Sequence, residues 1–233
     1  MAAARRPISV LDVGCGSGDF LSLIHTIPNV DAWGLDSTAS SVDAARARGL
    51  NAVCADMSGF SALYPSQRFD FVTSFHCVEH VGDPAAFMRQ IKRLLKPDGG
   101  VALISAPLSP MSFEHSWFDP LNHPPHHLSR WSTTALGKLA EITGFEISIT
   151  SSPARSAPYR ALRTLILAKT GRLRYRGPAQ AVILAIRHLP DYLRECLVQL
   201  RRPRRDGKSE GDTFLAMFTP RPAAAPRGDG PAA

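Results

Sequence analysis

Paired cysteines are missing from this chain of 233 residues: Cys15, Cys54, Cys77 and Cys196 stand apart, with no C-x-x-C among them. That excludes a zinc ribbon and a secreted disulfide framework. No apolar run reaches the roughly 18 residues that a membrane-spanning helix needs. The opening Met1-Ala-Ala-Ala-Arg-Arg-Pro7 lacks the apolar segment and cleavage site of a signal peptide. A cytoplasmic protein is therefore expected. Internal repeats are absent too. What is present, 44% hydrophobic and 20% charged residues, excludes a disordered tail, a collagen-like fibre and a disulfide-stapled miniprotein. The length suits one large domain or two small ones.

Charge is placed unevenly. The net charge is +7, yet residues 155–205 alone hold 13 Arg and Lys against Asp191 and Glu195, a local +11 that leaves −4 for the rest. A basic segment is attached to a mildly acidic domain, so any argument for anionic partners concerns that segment. Its basic residues are not interleaved with aromatics, which argues against a nucleic-acid partner.

Hydrophobic patterning predicts strands at Ile8–Val13, Val30–Leu35, Asn51–Ala55, Phe69–Phe75, Val101–Ser105, Phe145–Thr150 and Thr213–Thr219. Helices are expected over Ser17 to about Thr26, over Thr38–Arg48 with Ser37 as cap and Gly49 as stop, after Asp83-Pro84, and from Ser132 to Thr143 with Gly144 as stop. Alternating strands and helices imply a mostly parallel sheet covered on both faces. Residues 151–211 interrupt that alternation. In them Val182, Ile186, Leu189, Leu193, Cys196 and Leu200 form one apolar stripe on a basic helix broken near Pro190.

The run Val10-Leu-Asp-Val-Gly-Cys-Gly-Ser-Gly-Asp-Phe20 places G-x-G-x-G where the first strand meets the first helix. Glycines there let backbone approach a ligand, and the helix start offers unpaired N–H groups. A dinucleotide fingerprint would carry its third glycine where this chain has Asp19, whose carboxylate repels a pyrophosphate. A ligand with a cationic, zwitterionic part fits better, and S-adenosylmethionine is such a ligand. Asp36, ending the second strand, is placed for both ribose hydroxyls, and Asp56, past the third, for the adenine amino group.

Together these residues resemble the class I S-adenosylmethionine-dependent methyltransferases, in particular the group that includes ubiquinone-biosynthesis O-methyltransferases. The resemblance runs through Leu-Asp-Val-Gly-Cys-Gly-Ser-Gly (11–18), Gly-Leu-Asp (34–36), Ala-Asp-Met (55–57), Phe-Asp-Phe-Val (69–72), Val-Glu-His-Val (78–81) and Leu-Leu-Lys-Pro-Asp-Gly-Gly (94–100), in family order over residues 8–150. It implies an α/β, doubly wound, Rossmann-like sheet of seven mostly parallel strands. One antiparallel edge strand, Thr213–Thr219, would follow the helical insertion. The expected organisation is a cofactor-binding core over 1–150, a basic helical insertion over 151–211, a last core strand over 212–219 and a flexible tail over 220–233. The implied cofactor contacts are Asp12, Gly14, Cys15, Gly16, Gly18, Asp36, Ser37, Asp56, Met57 and Phe75. Asp12 would order the loop from behind or contact the cofactor.

Six of the eight histidines lie between positions 76 and 127: His76, His80, His115, His123, His126 and His127. Ligands of doubly wound folds bind at the strand ends that this stretch occupies. The loop Asn122-His-Pro-Pro-His-His-Leu-Ser-Arg-Trp131 is stiffened by two prolines, and His126 or His127 is the candidate base for deprotonating a hydroxyl acceptor during methyl transfer. His76-x-x-Glu79-His80 has a second reading as a divalent-ion site completed by a later histidine. Some relatives resembling this family use such a site, with a carboxylate where this chain has His76. The expected set nevertheless contains no metal.

The basic insertion admits three roles: an acceptor-binding lid, a membrane-surface helix or a phosphate-recognition patch. With the first strand so near the start, cover for the cofactor is expected from the insertion and loop 106–131. The leading expectation is a small-molecule O-methyltransferase with an anionic or lipid-linked acceptor. The alternatives are an RNA or nucleotide-sugar methyltransferase and a non-catalytic cofactor-binding partner protein.

Overall fold

The computed structural model describes residues 6–111, 113–114, 120–153, 155–170, 178–201 and 210–222. His115 and the tail from 223 onward lie outside the described residues. Seven strands, β1 (Ile8–Val13), β2 (Val30–Asp36), β3 (Ala52–Cys54), β4 (Phe71–Phe75), β5 (Val101–Pro107), β6 (Phe145–Pro153) and β7 (Glu210–Pro220), form one sheet in the order β3-β2-β1-β4-β5-β7-β6. The first five pair in parallel, and β7 runs antiparallel to both its neighbours. The antiparallel strand is thus the expected one, but it lies second from the edge, with β6 outermost. From β3 the chain returns to the far side of β1 to lay down β4. That reversal opens the crevice at the carboxyl ends of β1 and β4 where doubly wound folds bind ligands.

Helices α1 (Asp19–His25), α2 (Ala39–Ala47), α3 (Met57–Leu63), α4 (Pro84–Leu94) and α5 (Thr133–Thr143) join these strands. The Asp83 carboxylate accepts the Ala86 N–H and Pro84 supplies a preset first turn, so α4 starts as expected. Its apolar positions Phe87, Met88, Ile91 and Leu94 are buried against the sheet. Helix α5 is capped by Ser132 and ends at Gly144, φ +72°. Lys92 of α4 donates to the Gly144 carbonyl at 2.7 Å, locking the two helices together.

Two local expectations change. Ser37 does not cap α2: the Asp36 carboxylate takes the Thr38 N–H at 2.8 Å, so Thr38 becomes the boundary residue. Helix α3, unforeseen, follows Asp56, whose carboxylate accepts the Gly59 N–H at 2.6 Å. The insertion folds as α6 (Ala157–Thr170), α7 (Pro178–Arg187) and α8 (Leu189–Leu200), the last two separated at His188.

One carboxylate holds the start of the sheet. Asp70 accepts from Arg6 through both oxygens (2.8 and 3.1 Å), from Lys96 (2.7 Å), and from the Ser9 N–H and hydroxyl (2.8 and 2.9 Å). Burial alone would raise its pKa. The bonds from Arg6, Lys96 and Ser9 outweigh that and hold it well below the ordinary carboxylate range. A carboxylate depressed in the folded state stabilises the fold above its unfolded pKa near 3.9, and that gain fades as pH falls toward the folded value. Asp70→Asn is therefore expected to lower unfolding free energy at pH 7 by about 1–3 kcal/mol. Urea denaturation of both proteins should show the gap closing below about pH 4.

Candidate active site

The glycine loop leaves β1 through Gly14, Gly16 and Gly18, all at positive φ (78°, 53° and 84°). At two of the three a neighbouring side chain also occupies the space of a Cβ. A Cβ on Gly14 would fall 2.6 Å from the Cys77 sulfur, and one on Gly18 2.5 Å from Leu50 Cδ1. A Cβ on Gly16 would meet nothing within 4 Å, so the middle of the loop faces open space that a ligand can enter. Gly14 N–H and Cys15 N–H both donate to the Leu35 carbonyl, and Gly16 N–H donates to Asp36 Oδ2 at 2.9 Å. The loop on β1 is thereby clamped to the end of β2.

Asp12 lies behind this loop, 3% exposed, with Oδ1 accepting the Thr73 hydroxyl proton at 2.7 Å. Burial pushes its pKa up to about 6, the Thr73 bond opposes the rise, and the Asp36 charge adds to it. Burial, with Asp12 and Asp36, also pushes the Cys15 thiol up to about 12, so Cys15 is a packing group and not a nucleophile. Asp36 spends one lone pair of each oxygen on backbone N–H groups, which leaves acceptor capacity on both for a diol. Asp56 is exposed beyond β3, with its cap bond on Oδ1 only. Ser37 is exposed beside Asp36, and half-buried Phe75 packs edge-on against Phe20 at 4.8 Å. Met57, the first residue of α3, has its side chain buried in the main core.

A second cluster stands beside the first. His76 ends β4 at φ +54°, a left-handed conformation uncommon for a residue with a side chain. The turn leads through Cys77, which touches Gly14, into the 3-10 turn Val78–His80. Glu79 is 1% exposed; its Oε1 meets His76 Nδ1 at 3.3 Å, and this contact raises the His76 pKa against the opposing effect of burial. The Leu128 and Ser129 N–H groups donate to the Glu79 carbonyl, strapping the proline-containing loop to this turn. His80 Nδ1–H donates to the His126 carbonyl (2.7 Å), while His127 Nδ1–H donates to Asn122 Oδ1 (2.9 Å). Both rings then carry their lone pair on Nε2, and they stack edge to face at 4.8 Å. Asn122, 3% exposed, donates in turn to Glu114 Oε1 (2.7 Å), and Glu114 Oε2 pairs with Arg130.

The structure thus separates the two candidate histidines. His127 belongs to a chain running Arg130, Glu114, Asn122, whereas His126 is exposed and contributes its backbone. Among the described residues the grouping able to hold a metal ion is Glu79, His80 and His127, whose ligand atoms lie within 4.8 Å of one another. His76 falls outside it, facing Glu79 Oε1 instead. Thr73, Asn122 and Glu114 were not foreseen. Asn122 adjoins the histidine run, but only tertiary contact reveals its bonds.

Beyond β5, Arg155, Arg160 and Arg163 line a cavity of about 600 Å³ together with Tyr159 and the start of β7. Arg163 stacks over Phe113 at 5.6 Å, so helix α6 reaches the loop that carries the histidines. No described helix is long and apolar enough to cross a membrane.

Comparison with known proteins agrees with this geometry. The profile of a family described as "Methyltransferase domain" matches residues 1–148. A "Probable S-adenosylmethionine-dependent methyltransferase" of Mycolicibacterium smegmatis is 33% identical over 141 residues, 60% of this chain and 53% of that protein. The ubiquinone biosynthesis O-methyltransferase of Neisseria meningitidis is 34% identical over 113 residues, 46% of this chain and 47% of that one. The chain spans about half the length of these curated relatives. A SAM-dependent methyltransferase from Archaeoglobus fulgidus shares the fold at TM-score 0.58 and 18% identity, covering 91% of this chain and 86% of its own. The plantazolicin methyltransferase BpumL, solved with a pentazolic desmethylPZN analog and SAH, gives a TM-score of 0.57 at 17% identity, covering 94% of this chain and 78% of its own.

Buried Asp12, with its pKa pushed up to about 6, predicts a pH dependence for the binding of a cationic cofactor. A cationic sulfonium favours the ionised carboxylate, whose pKa without ligand is about 6. Affinity for S-adenosylmethionine is expected to rise about tenfold between pH 5 and pH 7 and then level off. Calorimetry across that range checks it, and Asp12→Asn should flatten the profile and weaken binding.

Proposed function

The chain belongs to the methyltransferase-domain family, and from that premise we propose that it methylates an oxygen of an anionic or lipid-linked small molecule, with S-adenosylmethionine as donor and His127 as general base. The observation that carries this reading is the chain Arg130–Glu114–Asn122–His127, which presets the His127 tautomer beside His80. With its Nδ1–H anchored, a neutral imidazole takes up a hydroxyl proton on Nε2. As the oxygen bonds to the methyl carbon, the carbon–sulfur bond breaks and its electron pair stays on sulfur. The hydroxyl proton passes to Nε2, and the neutral thioether product leaves. Holding oxygen, carbon and sulfur in line supplies most of the rate, since such positioning is worth about 7–11 kcal/mol. The cavity beside α6 has Arg155, Arg160 and Arg163 against one carboxylate, Asp212, in its lining. Arg163 pairs with Asp212 at 3.9 Å and Arg160 is bonded to Gln199, so the excess positive charge supports an anionic acceptor chiefly through Arg155.

One observation favours a second reading. Glu79 Oε2 is buried without a hydrogen-bond partner among the described residues, and a Glu79 carboxylate oxygen lies within 4.8 Å of a ring nitrogen of His80 and of His127. These three residues fit a divalent cation, with the carboxylate and two imidazole Nε2 atoms as ligands. When bound, such an ion would lower the pKa of the acceptor hydroxyl.

Transfer of an isotopically labelled methyl group from the cofactor into a metabolite extract, followed by mass spectrometry, identifies the acceptor. With it in hand, His127→Ala is expected to lower kcat about 10²–10⁴-fold while cofactor affinity holds. Turnover within about threefold of wild type would end the general-base role. His80→Ala separates the two readings: a mild loss indifferent to chelators fits the base, and a loss as severe as that of His127→Ala, with chelator-sensitive wild type, fits the ion.

A further inference from the structure

Helix α8 is amphipathic in the reverse of the usual sense. Its inward face is polar: Glu195 and Gln199 are buried against α6, where Arg160 Nε donates to Gln199 Oε1 and Nη2 to the Gln199 carbonyl, both at 2.8 Å. Gln199 Nε2 then donates to Glu195 Oε1 at 2.8 Å. The outward face carries Leu189, Leu193, Leu197 and Leu200, which are 47, 53, 55 and 62% exposed; Ile183 and Ile186 continue it on α7 at 62 and 68%. The apolar stripe anticipated from periodicity exists, but it points to solvent. A helix in a water-soluble protein turns its apolar stripe to the core. A contiguous exposed stripe of this kind marks an interaction surface.

Charge selects the partner. Exposed Arg187, Arg194 and Arg201 accompany the stripe. Of the two acids in residues 155–205, Asp191 is bridged to Lys169 at 2.8 Å and Glu195 is buried. A second copy of the chain would bring two segments of +11 together, which like-charge repulsion opposes. A nucleic acid would match the charge but leave six aliphatic side chains in water. An anionic bilayer satisfies both features: leucine and isoleucine enter the headgroup–acyl boundary while arginines meet phosphate.

We propose that the outer face of α7 and α8 docks the protein on an anionic lipid bilayer as a peripheral surface. The two helices lie in the interface plane. The docking is independent of the proposed methyl transfer.

The full chain is co-sedimented with vesicles of phosphatidylcholine alone and of phosphatidylcholine mixed with phosphatidylglycerol. Binding to the mixed vesicles only, weakened by salt, is expected. Leu193→Glu and Leu197→Glu should each lower the partition coefficient about tenfold or more, and Arg194→Glu should lower it while reducing the salt dependence. All three positions are exposed, so melting temperature and cofactor affinity should stay at wild-type values, which separates loss of docking from loss of fold or of cofactor binding. Failure to sediment with either vesicle overturns the proposal. So does equal binding by the glutamate variants. A wild-type dimer in sedimentation velocity that Leu193→Glu converts to monomer, without vesicle binding, would assign the face to a second copy instead.

Discussion

The bond from Gly16 N–H to the Asp36 carboxylate governs the rest of this site. It joins a loop that leaves β1 to the residue that ends β2, two strands already in parallel register. Because Asp36 also holds the start of α2, a single side chain sets the loop, the helix and the acceptor oxygens of the crevice. The positive-φ glycines make that loop possible, and the Cys77 sulfur against Gly14 carries its position to the histidine cluster. Cofactor loop and candidate base are therefore parts of one packed unit rather than neighbours by chance.

Where a sequence signal is local, the fold was legible. The Asp83-Pro84 start of α4, the Ser132 and Gly144 ends of α5 and the glycine run after β1 each depend on residues within one turn of one another. Helix α3 escaped notice because Ser58-Gly59 near its start obscures the apolar period, although Asp56 was there to cap it. The site divided in the same way. Asp12, Asp36 and the glycines follow from their strand ends. The choice between His126 and His127 depends on Asn122 and Glu114, bonds that no spacing reveals. His76 looked like a partner of His80, but a left-handed turn sets it against Glu79 Oε1, outside the grouping of Glu79, His80 and His127.

Periodicity states that a helix has an apolar side without stating where that side points. In α8 the answer came from Arg160, whose guanidinium recruits Gln199 and Glu195 into the α6 contact and so rotates the leucines outward. A buried, hydrogen-bonded polar network specifies orientation more sharply than a greasy one, since each unpaired member would be costly. The chain thus carries two hydrophobic surfaces of different purpose, one sealed beneath the sheet's helices and one displayed.

The cysteines have a practical corollary. Cys15 is buried with its thiol pushed up to about 12, and Cys77 and Cys196 are half-buried, whereas Cys54 is exposed at the end of β3. A maleimide dye would accordingly favour Cys54, two residues before Asp56, and so report by fluorescence on events at the end of the crevice that Asp56 borders, without any engineered attachment point.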